Sequence, residues 1–151
     1  MAKKKKTTAG SIQNRRARFD YELEDSLLVG MALNGRETKA LRMGHGHLKG
    51  AYVVVKDGEL WLLNATITSV PGVSLEEKEQ VRSRKLLAKR REIEALIAAK
   101  DQGRSIIPLE ILTRGRYIKL RISAGKGKKL YDKRQTIKKR DEDRNIRQLG
   151  L

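Results

Sequence analysis

The alternation of apolar and polar residues predicts that most of this chain folds as β-strands. Residues 21–33 begin with period-two alternation and continue as an apolar run, which indicates one long strand. Gly30 within that run suggests a bulge or a sharp bend, as the corners of a small barrel require. Good helix formers follow over 36–42 until Gly44 can end the helix, and the charged residues of this short helix are expected on its exposed side.

The clearest hairpin in the sequence joins 51–56 to 59–64 through an Asp-Gly turn. Trp61 in its second strand is expected in the core. Residues 65–70 predict a further short strand, which a Pro-Gly pair ends.

From 75 to 100 the spacing of apolar residues predicts one long helix that packs on the strands. Leu86, Ile93 and Leu96 lie on its apolar face. The many cations of 82–91 occupy the other faces, and they are equally consistent with a solvated surface and with a second strip that faces RNA. Gly103 ends the helix.

A second hairpin is predicted over 105–113 and 116–123. Alternate apolar residues of its last strand, from Ile118 to Ile122, are expected to face inwards, and Pro108 implies an edge or a bulge. Five or six strands in hairpins, with one short and one long helix, predict a mainly β fold, a small antiparallel OB-like barrel.

The charge of the chain favours a nucleic-acid partner. The 151 residues contain 35 Lys+Arg against 18 Asp+Glu, and the formal net charge of +17 creates a potential that attracts polyanions. The division predicted from composition is a flexible basic leader over 1–13, an RNA-binding barrel over 14–124 and a basic tail over 125–151. Asn14, Arg15, Arg16 and Arg18 precede Phe19 and Tyr21, and arginines beside aromatic residues can pair with phosphates and stack on bases.

The tail is too poor in apolar residues to form a continuous buried stripe. Ordering each residue costs roughly 1–2 kcal/mol, so we expect this segment to be disordered in the free protein and to become helical on a polyanionic surface. Gly125, Lys126 and Gly127 at its start lack the spacing of a phosphate-binding P-loop, and we interpret them as a flexible hinge.

Other chemistry has little support. The sequence has no Cys and 2 His, His45 and His47, and it offers no arrangement typical of a catalytic centre or a metal site. It has no apolar run of the roughly 18–20 residues that span a bilayer and no apolar segment behind the first lysines that would make a signal peptide. We therefore expect a cytoplasmic, non-enzymatic protein without a cofactor or a membrane partner.

Five motifs in the same order resemble the SsrA-binding protein (small protein B) family, which partners tmRNA in bacterial ribosome rescue. They are NRRARFDY from Asn14, GMALNGRETKALR from Gly30, DGE with NATI from Asp57, RKLL with EI from Arg84, and AGKGKKLYDKR from Ala124. The chain departs from the family pattern at Leu28, where relatives often carry an acidic residue, and at His45-Gly46-His47, which replaces Lys-x-Asn.

The resemblance implies that the barrel binds the tRNA-like domain of tmRNA while the tail enters the empty mRNA channel of a stalled ribosome in place of a codon–anticodon pair. Elongation factor Tu would then be an indirect partner through tmRNA. The implied tmRNA contacts are Asn14, Arg15, Arg16, Arg18, Lys39, Arg42, Arg84 and Lys85. The implied contacts with small-subunit RNA, at the decoding centre and in the mRNA channel, are Lys126, Lys128, Lys129, Tyr131, Asp132, Lys133, Arg134, Lys138, Lys139 and Arg140.

A different class shares the charge, the barrel and the tail. A structural ribosomal protein or an OB-type translation factor would bind ribosomal RNA alone, whereas the predicted function requires tmRNA.

Overall fold

A computed structural model of the chain describes residues 10–128, Arg134, 137–141 and Arg144. Its strands are β1 (Ser11–Gln13), β2 (Tyr21–Met31), β3 (Gly46–His47), β4 (Tyr52–Lys56), β5 (Glu59–Leu63), β6 (Thr66–Ile67), β7 (Arg84–Leu87), β8 (Ser105–Leu112) and β9 (Lys119–Gly127). The helices of the barrel region are α1 (Ala17–Asp20), α2 (Gly35–Arg42), α3 (Glu77–Gln80) and α4 (Arg90–Asp101).

The main sheet is antiparallel and closes on itself. Its order is β1-β8-β4-β5-β7-β2-β9, and a further pairing between β8 and β9 closes the ring from β8 to β9 into a barrel, with β1 added at the other edge of β8. β3 and β6 form a separate two-stranded sheet. The predicted mainly β, OB-like antiparallel barrel is therefore confirmed.

The interior is filled by the alternate apolar residues of the strands. Leu60, Leu62, Leu86, Leu120 and Ile122 are fully buried there, as the period-two pattern predicts. The Asp-Gly turn of the first hairpin has positive φ at both residues, which is the backbone of a tight type I′ turn. Pro108 lies at a shift in the register between β8 and β9, so the predicted bulge is confirmed.

The short helix forms where the sequence predicts it. The Asn34 side chain accepts a hydrogen bond from the Glu37 N–H, and the Glu37 carboxylate accepts one from the Asn34 N–H, which completes a capping box at the start of α2. Ala40 and Leu41 are buried, while Arg36 and the other basic residues of the helix are exposed.

The predicted helix over 75–100 is wrong in its first half. Residues 77–80 form only one turn, and Arg84–Leu87 is strand β7, which pairs with β5 and β2. Arg84 and Leu86 point inwards while Lys85 and Leu87 point outwards. In the sequence, a four-residue alternation is too short to outweigh the helical spacing of the longer segment. In the fold, these residues form a strand because β5 and β2 each offer them an edge to pair with.

Two smaller expectations about the strands are also wrong. Trp61 lies on the outer face of β5 and is only half-buried, because its neighbours Leu60 and Leu62 take the inner face. The bulge in β2 lies between Leu23 and Ser26, whereas Gly30 is regularly paired with strands on both sides. A Cβ on Gly30 would lie 3.3 Å from the Leu87 Cβ, so the glycine allows a close approach of β7.

The boundaries of the barrel differ from the predicted ones at both ends. β1 lies within the predicted leader and pairs with β8. β9 continues through Gly125, Lys126 and Gly127, which pair with the start of β2, so this segment is a strand and not a hinge. Of the predicted short strand 65–70, Thr66–Ile67 pairs with β3 and Val70 forms an isolated bridge with Val73.

Candidate nucleic-acid interface

The arginines that precede the first long strand are exposed, Arg15 and Arg16 in the turn before α1 and Arg18 on α1 itself. Ala17 is buried against Ile107 and Leu109 and so fixes the helix to the outside of the barrel. The Arg16 guanidinium lies 4.7 Å from the centroid of the Phe19 ring and donates a hydrogen bond of 3.2 Å to Asp20 Oδ1. Arg15 and Arg18 make no side-chain hydrogen bond or ion pair within the described part of the chain. Their charges are therefore available to an anion.

Asn14 has a structural role in this arrangement. Its Nδ2 donates a hydrogen bond of 2.8 Å to the Pro108 carbonyl, and its backbone N–H donates one of 2.8 Å to the Leu109 carbonyl. These bonds hold the chain at the bulge of β8 just before α1. The amide group implied to contact tmRNA is thus committed to the barrel.

The tail leaves the barrel beside α1. Lys126 is exposed at the end of β9, and the Lys128 N–H donates a hydrogen bond of 2.8 Å to the Asp20 carbonyl. Among the tail residues that the structure describes, Arg134, 137–141 and Arg144 are helical, and Lys138, Lys139 and Arg140 are exposed. The Arg140 guanidinium lies 5.6 Å from the centroid of the Phe19 ring.

These positions leave part of the tail prediction untested. Lys129, Tyr131, Asp132 and Lys133 lie outside the described residues. The expectation that RNA binding is needed to stabilise the helix stays a prediction.

A groove lies at the other end of β2 and β9. It has a volume of about 520 Å³, and its lining includes Leu28 and Leu87, the lysines Lys85, Lys89 and Lys119, and the carboxylates Glu59 and Glu92. Leu28 is 40% exposed and Leu87 is 53% exposed. Large apolar residues open to solvent are typical of a binding surface, and the lysines beside them can pair with phosphates.

An adjoining cleft extends this groove. Its volume is about 330 Å³, and Leu87, Arg42, Arg116 and Tyr117 line it. The Tyr117 side chain is 68% exposed, and Lys39 projects from the same helix as Arg42. Of these residues, only Lys39, Arg42 and Lys85 were implied by sequence. The signal that could reveal Leu28 and Leu87 is their outward position in strands with period-two alternation.

Arg42 is less available than its exposure indicates. Its guanidinium donates hydrogen bonds to the carbonyls of Thr113 at 3.0 Å, Gly115 at 2.9 Å and Arg116 at 3.1 Å. Arg42 therefore ties α2 to the turn between β8 and β9. Lys39 and Lys85 have no side-chain partner within the described residues.

Arg84 is a correction to the implied tmRNA contacts, because it is fully buried. Its guanidinium donates to Glu37 Oε2 at 3.0 Å, and Arg82 donates to the same carboxylate at 2.8 and 2.5 Å. Burial raises the pKa of Glu37, but the hydrogen bonds from Arg82 and Asn34 and the charges of both arginines outweigh it and hold that pKa below its ordinary value. Burial lowers the pKa of Arg84. The residue is part of the fold and cannot reach RNA.

The two basic regions are separated along the barrel. Tyr21 pairs with Gly127 at the α1 end, and Gly30 pairs with Lys119 at the groove end. A strand rises about 3.3 Å per residue, which puts the two ends roughly 30 Å apart. One RNA contact can therefore form at the groove without covering the point where the tail emerges.

The described residues contain neither a group of three potential metal ligands from His, Cys, Asp and Glu nor a helix long and apolar enough to cross a membrane.

Comparisons with known proteins agree with this geometry. The family model described as "SmpB protein" matches residues 11–150. The chain is 46% identical to an SsrA-binding protein of Burkholderia vietnamiensis over 135 residues, which cover 88% of this chain and 91% of that protein. It is 43% identical to an SsrA-binding protein of Pseudomonas putida over 149 residues, which cover 97% and 93%.

A solved structure described as "tmRNA-SmpB: a journey to the center of the bacterial ribosome" contains a similar fold. It matches with a TM-score of 0.68 and 34% identity, and the match covers 85% of this chain and 95% of that chain. On the family model and on both relatives, the chain belongs to the SmpB protein family.

Proposed function

We propose that this protein binds tmRNA and delivers it to stalled ribosomes for trans-translation. Relatives over almost the whole chain are named SsrA-binding proteins, and the similar solved structure pairs tmRNA with SmpB in the bacterial ribosome. The observation on this chain that carries the proposal is the groove in which exposed Leu28 and Leu87 lie beside Lys85 and Lys119.

The groove supplies what a folded RNA needs. Lysines at the rim would pair with backbone phosphates, the leucines would provide apolar contact surface, and the adjoining Tyr117 ring would stack on an unstacked base. We therefore propose that the tRNA-like domain of tmRNA binds at this end of the barrel, with Lys39 and Lys85 as phosphate contacts. Arg42 would contribute mainly by holding α2 in place.

The tail and the α1 end face the ribosome in this proposal. The tail leaves the barrel at Lys128, roughly 30 Å from the groove, so the two RNAs do not compete for one surface. Its lysines and arginines would neutralise phosphates of the mRNA channel, and Tyr131 would stack on a base of the decoding centre in place of a codon–anticodon pair. Arg15, Arg16 and Arg18 extend the same basic surface.

Two further expectations, about a partner and about location, follow from this function. Elongation factor Tu would meet the protein only through tmRNA, and the place of action would be the cytoplasm, where ribosomes translate.

A direct binding measurement tests the groove. Leu87→Ala should weaken binding to the tRNA-like domain by about 1–2 kcal/mol, because burying one CH₂ group contributes about 0.8 kcal/mol and the exposed half of the leucine side chain is what RNA would cover. Lys119→Gln should reduce the slope of log affinity against log salt by about one phosphate contact. Lys100→Gln removes an exposed lysine on α4 that lines neither cleft of the groove and is the matched control.

The alternative function gives a different result. A ribosomal protein or translation factor of this fold would retain ribosomal RNA on purification without tmRNA. If tmRNA does not copurify with the full chain, and neither groove variant changes RNA affinity more than Lys100→Gln does, the proposed function is wrong.

A further inference from the structure

A separate cleft lies between β1 and β3. Its volume is about 340 Å³. Arg15 and His47 are the charged and the titratable side chains that line it, and among the described residues no carboxylate does. Of the residues that line it, only Arg15 was assigned above, to the basic surface beside the tail.

The backbone of β3 is held rigidly at this place. A Cβ on Gly46 would lie 2.9 Å from Leu41 Cδ2 and 3.0 Å from the Thr66 carbonyl oxygen, so only glycine fits between α2 and β6. The His45 carbonyl accepts a hydrogen bond of 3.1 Å from the Thr68 N–H. The position of His47 relative to β1 is therefore set by packing and does not depend on a loose loop.

Both side chains are available to a ligand. Arg15 and His47 are exposed, and neither makes a side-chain hydrogen bond or an ion pair with any other described residue. Arg16, by contrast, is bonded to Asp20. A cation with no protein partner in a concave site is a candidate for binding an anion.

The surrounding charges are almost all positive. Arg15 also lines a neighbouring cleft of about 190 Å³ with Arg18 and Arg121, where the carboxylate of Glu110 is bonded to Arg121 at 3.0 Å. The other titratable or charged residues close in sequence to β3 or paired near the start of β1 are His45, Lys49 and Arg114, and all three are exposed. The Arg114 side chain fills the space that a Cβ on Gly10 would need, beside the start of β1.

We propose that this cleft binds a phosphate of the RNA backbone between Arg15 and the protonated imidazole of His47, so that RNA affinity rises as the pH falls from about 8 to about 6. The proposal rests on the proposed function, because it requires that the chain binds RNA. Protonated imidazole donates from both ring nitrogens, whereas the neutral ring has one donor and no charge. Arg15 supplies the part of the affinity that does not depend on pH.

The test measures affinity against pH for the full chain and for three variants. The RNAs are the tRNA-like domain of tmRNA in one arm and vacant small ribosomal subunits in the other, because the phosphate could belong to either. A nearby opposite charge commonly changes proton affinity by tenfold or more, so binding in one arm should be about threefold to tenfold tighter at pH 6 than at pH 8. His47→Gln should abolish this gain, His45→Gln should keep most of it, and Arg15→Gln should weaken binding at both pH values.

A spectroscopic readout separates a phosphate contact from a general effect of charge. The chain has 2 His, so the single imidazole of the His45→Gln variant belongs to His47. Its NMR titration midpoint should move to higher pH when RNA is added.

Equal pH dependence in the full chain and in His47→Gln, in both arms, would overturn the proposal, as would an imidazole midpoint that RNA does not move. These results leave the proposed function intact as long as the protein binds tmRNA at pH 8. Loss of tmRNA binding at every pH in the unchanged protein would instead count against the proposed function.

Discussion

Replacement of Arg84 should destabilise the barrel without removing any RNA contact. The side chain is fully buried beside the fully buried Glu37. It joins β7 to the capping box of α2 and to the backbone on either side. Its hydrogen-bond acceptors are Glu37 Oε2 at 3.0 Å and the carbonyls of Ala65 at 2.9 Å, Arg82 at 3.1 Å, Glu79 at 2.9 Å and Gln80 at 3.1 Å.

The magnitude follows from what Arg84→Met leaves behind. Methionine fills much of the volume but donates no hydrogen bond, so Glu37 keeps only the partly exposed Arg82 as an ionic partner. Removing one member of a buried ion pair costs about 3–5 kcal/mol. A domain of this size has about 5–15 kcal/mol of stability in total, so the loss is a large share of it.

Urea unfolding measures this loss, with circular dichroism and the fluorescence of the single Trp as probes. Lys85→Gln is the matched control, because Lys85 is the next residue of β7 and points outwards into the groove. We expect Lys85→Gln to change the free energy of unfolding by less than about 0.5 kcal/mol, while it weakens RNA binding.

The opposite pair of results would refute this reasoning. If Arg84→Met unfolds at the same urea concentration as the unchanged protein and loses RNA affinity, Arg84 contacts RNA and its burial has been misinterpreted.

The remaining predictions concern acid stability, packing and the tail. The pKa of Glu37 in the fold lies below its ordinary value of 4.5. Its carboxylate therefore stabilises the protein above pH 4.5, and this stabilisation is lost as the pH falls through the folded pKa. In urea titrations from pH 7 to about 3, the free energy of unfolding should fall less steeply with acid in Glu37→Gln than in the unchanged protein. Gly46→Val should lower stability by about 1–3 kcal/mol in thermal melts through overlap with Leu41, whereas an unchanged melt would mean that β3 can shift. A peptide of 126–151 should show little helix by circular dichroism in buffer, since a stable helix would contradict folding on RNA.

The barrel could be predicted because most of its strands and turns are indicated by short stretches of neighbouring residues. The Asp-Gly turn, the alternation through Ile118 and Ile122, and Pro108 at a bulge each depend on a few neighbouring residues. Secondary structure that depends on pairing between residues distant in sequence could not be predicted from the local pattern. Arg84–Leu87 fits a helix and a strand equally well until β5 and β2 each present it with an open edge.

The interface divides in the same way. The exposure of Arg15, Arg18 and Lys39 follows from charge alone, whereas the burial of Arg84 depends on Glu37, which is distant in sequence. A buried ion pair gives no signal in a single sequence, because an arginine among other arginines resembles an RNA contact. The exposed leucines of the groove were missed for the converse reason, since an apolar residue in the strand predicted around Leu28 or in the helix predicted around Leu87 is ordinarily core.

The central claim is that one end of the barrel binds tmRNA while the tail acts separately in the ribosome. The most direct test is a chain that ends at Lys128, which keeps β9 complete through Gly127 and retains the Lys128 bond to Asp20. We predict that its affinity for the tRNA-like domain stays within about twofold of the full chain, as expected for loss of residues outside the contact, while tagging of stalled nascent chains is abolished. Loss of both activities to the same degree, or tagging that survives the truncation, would contradict the account.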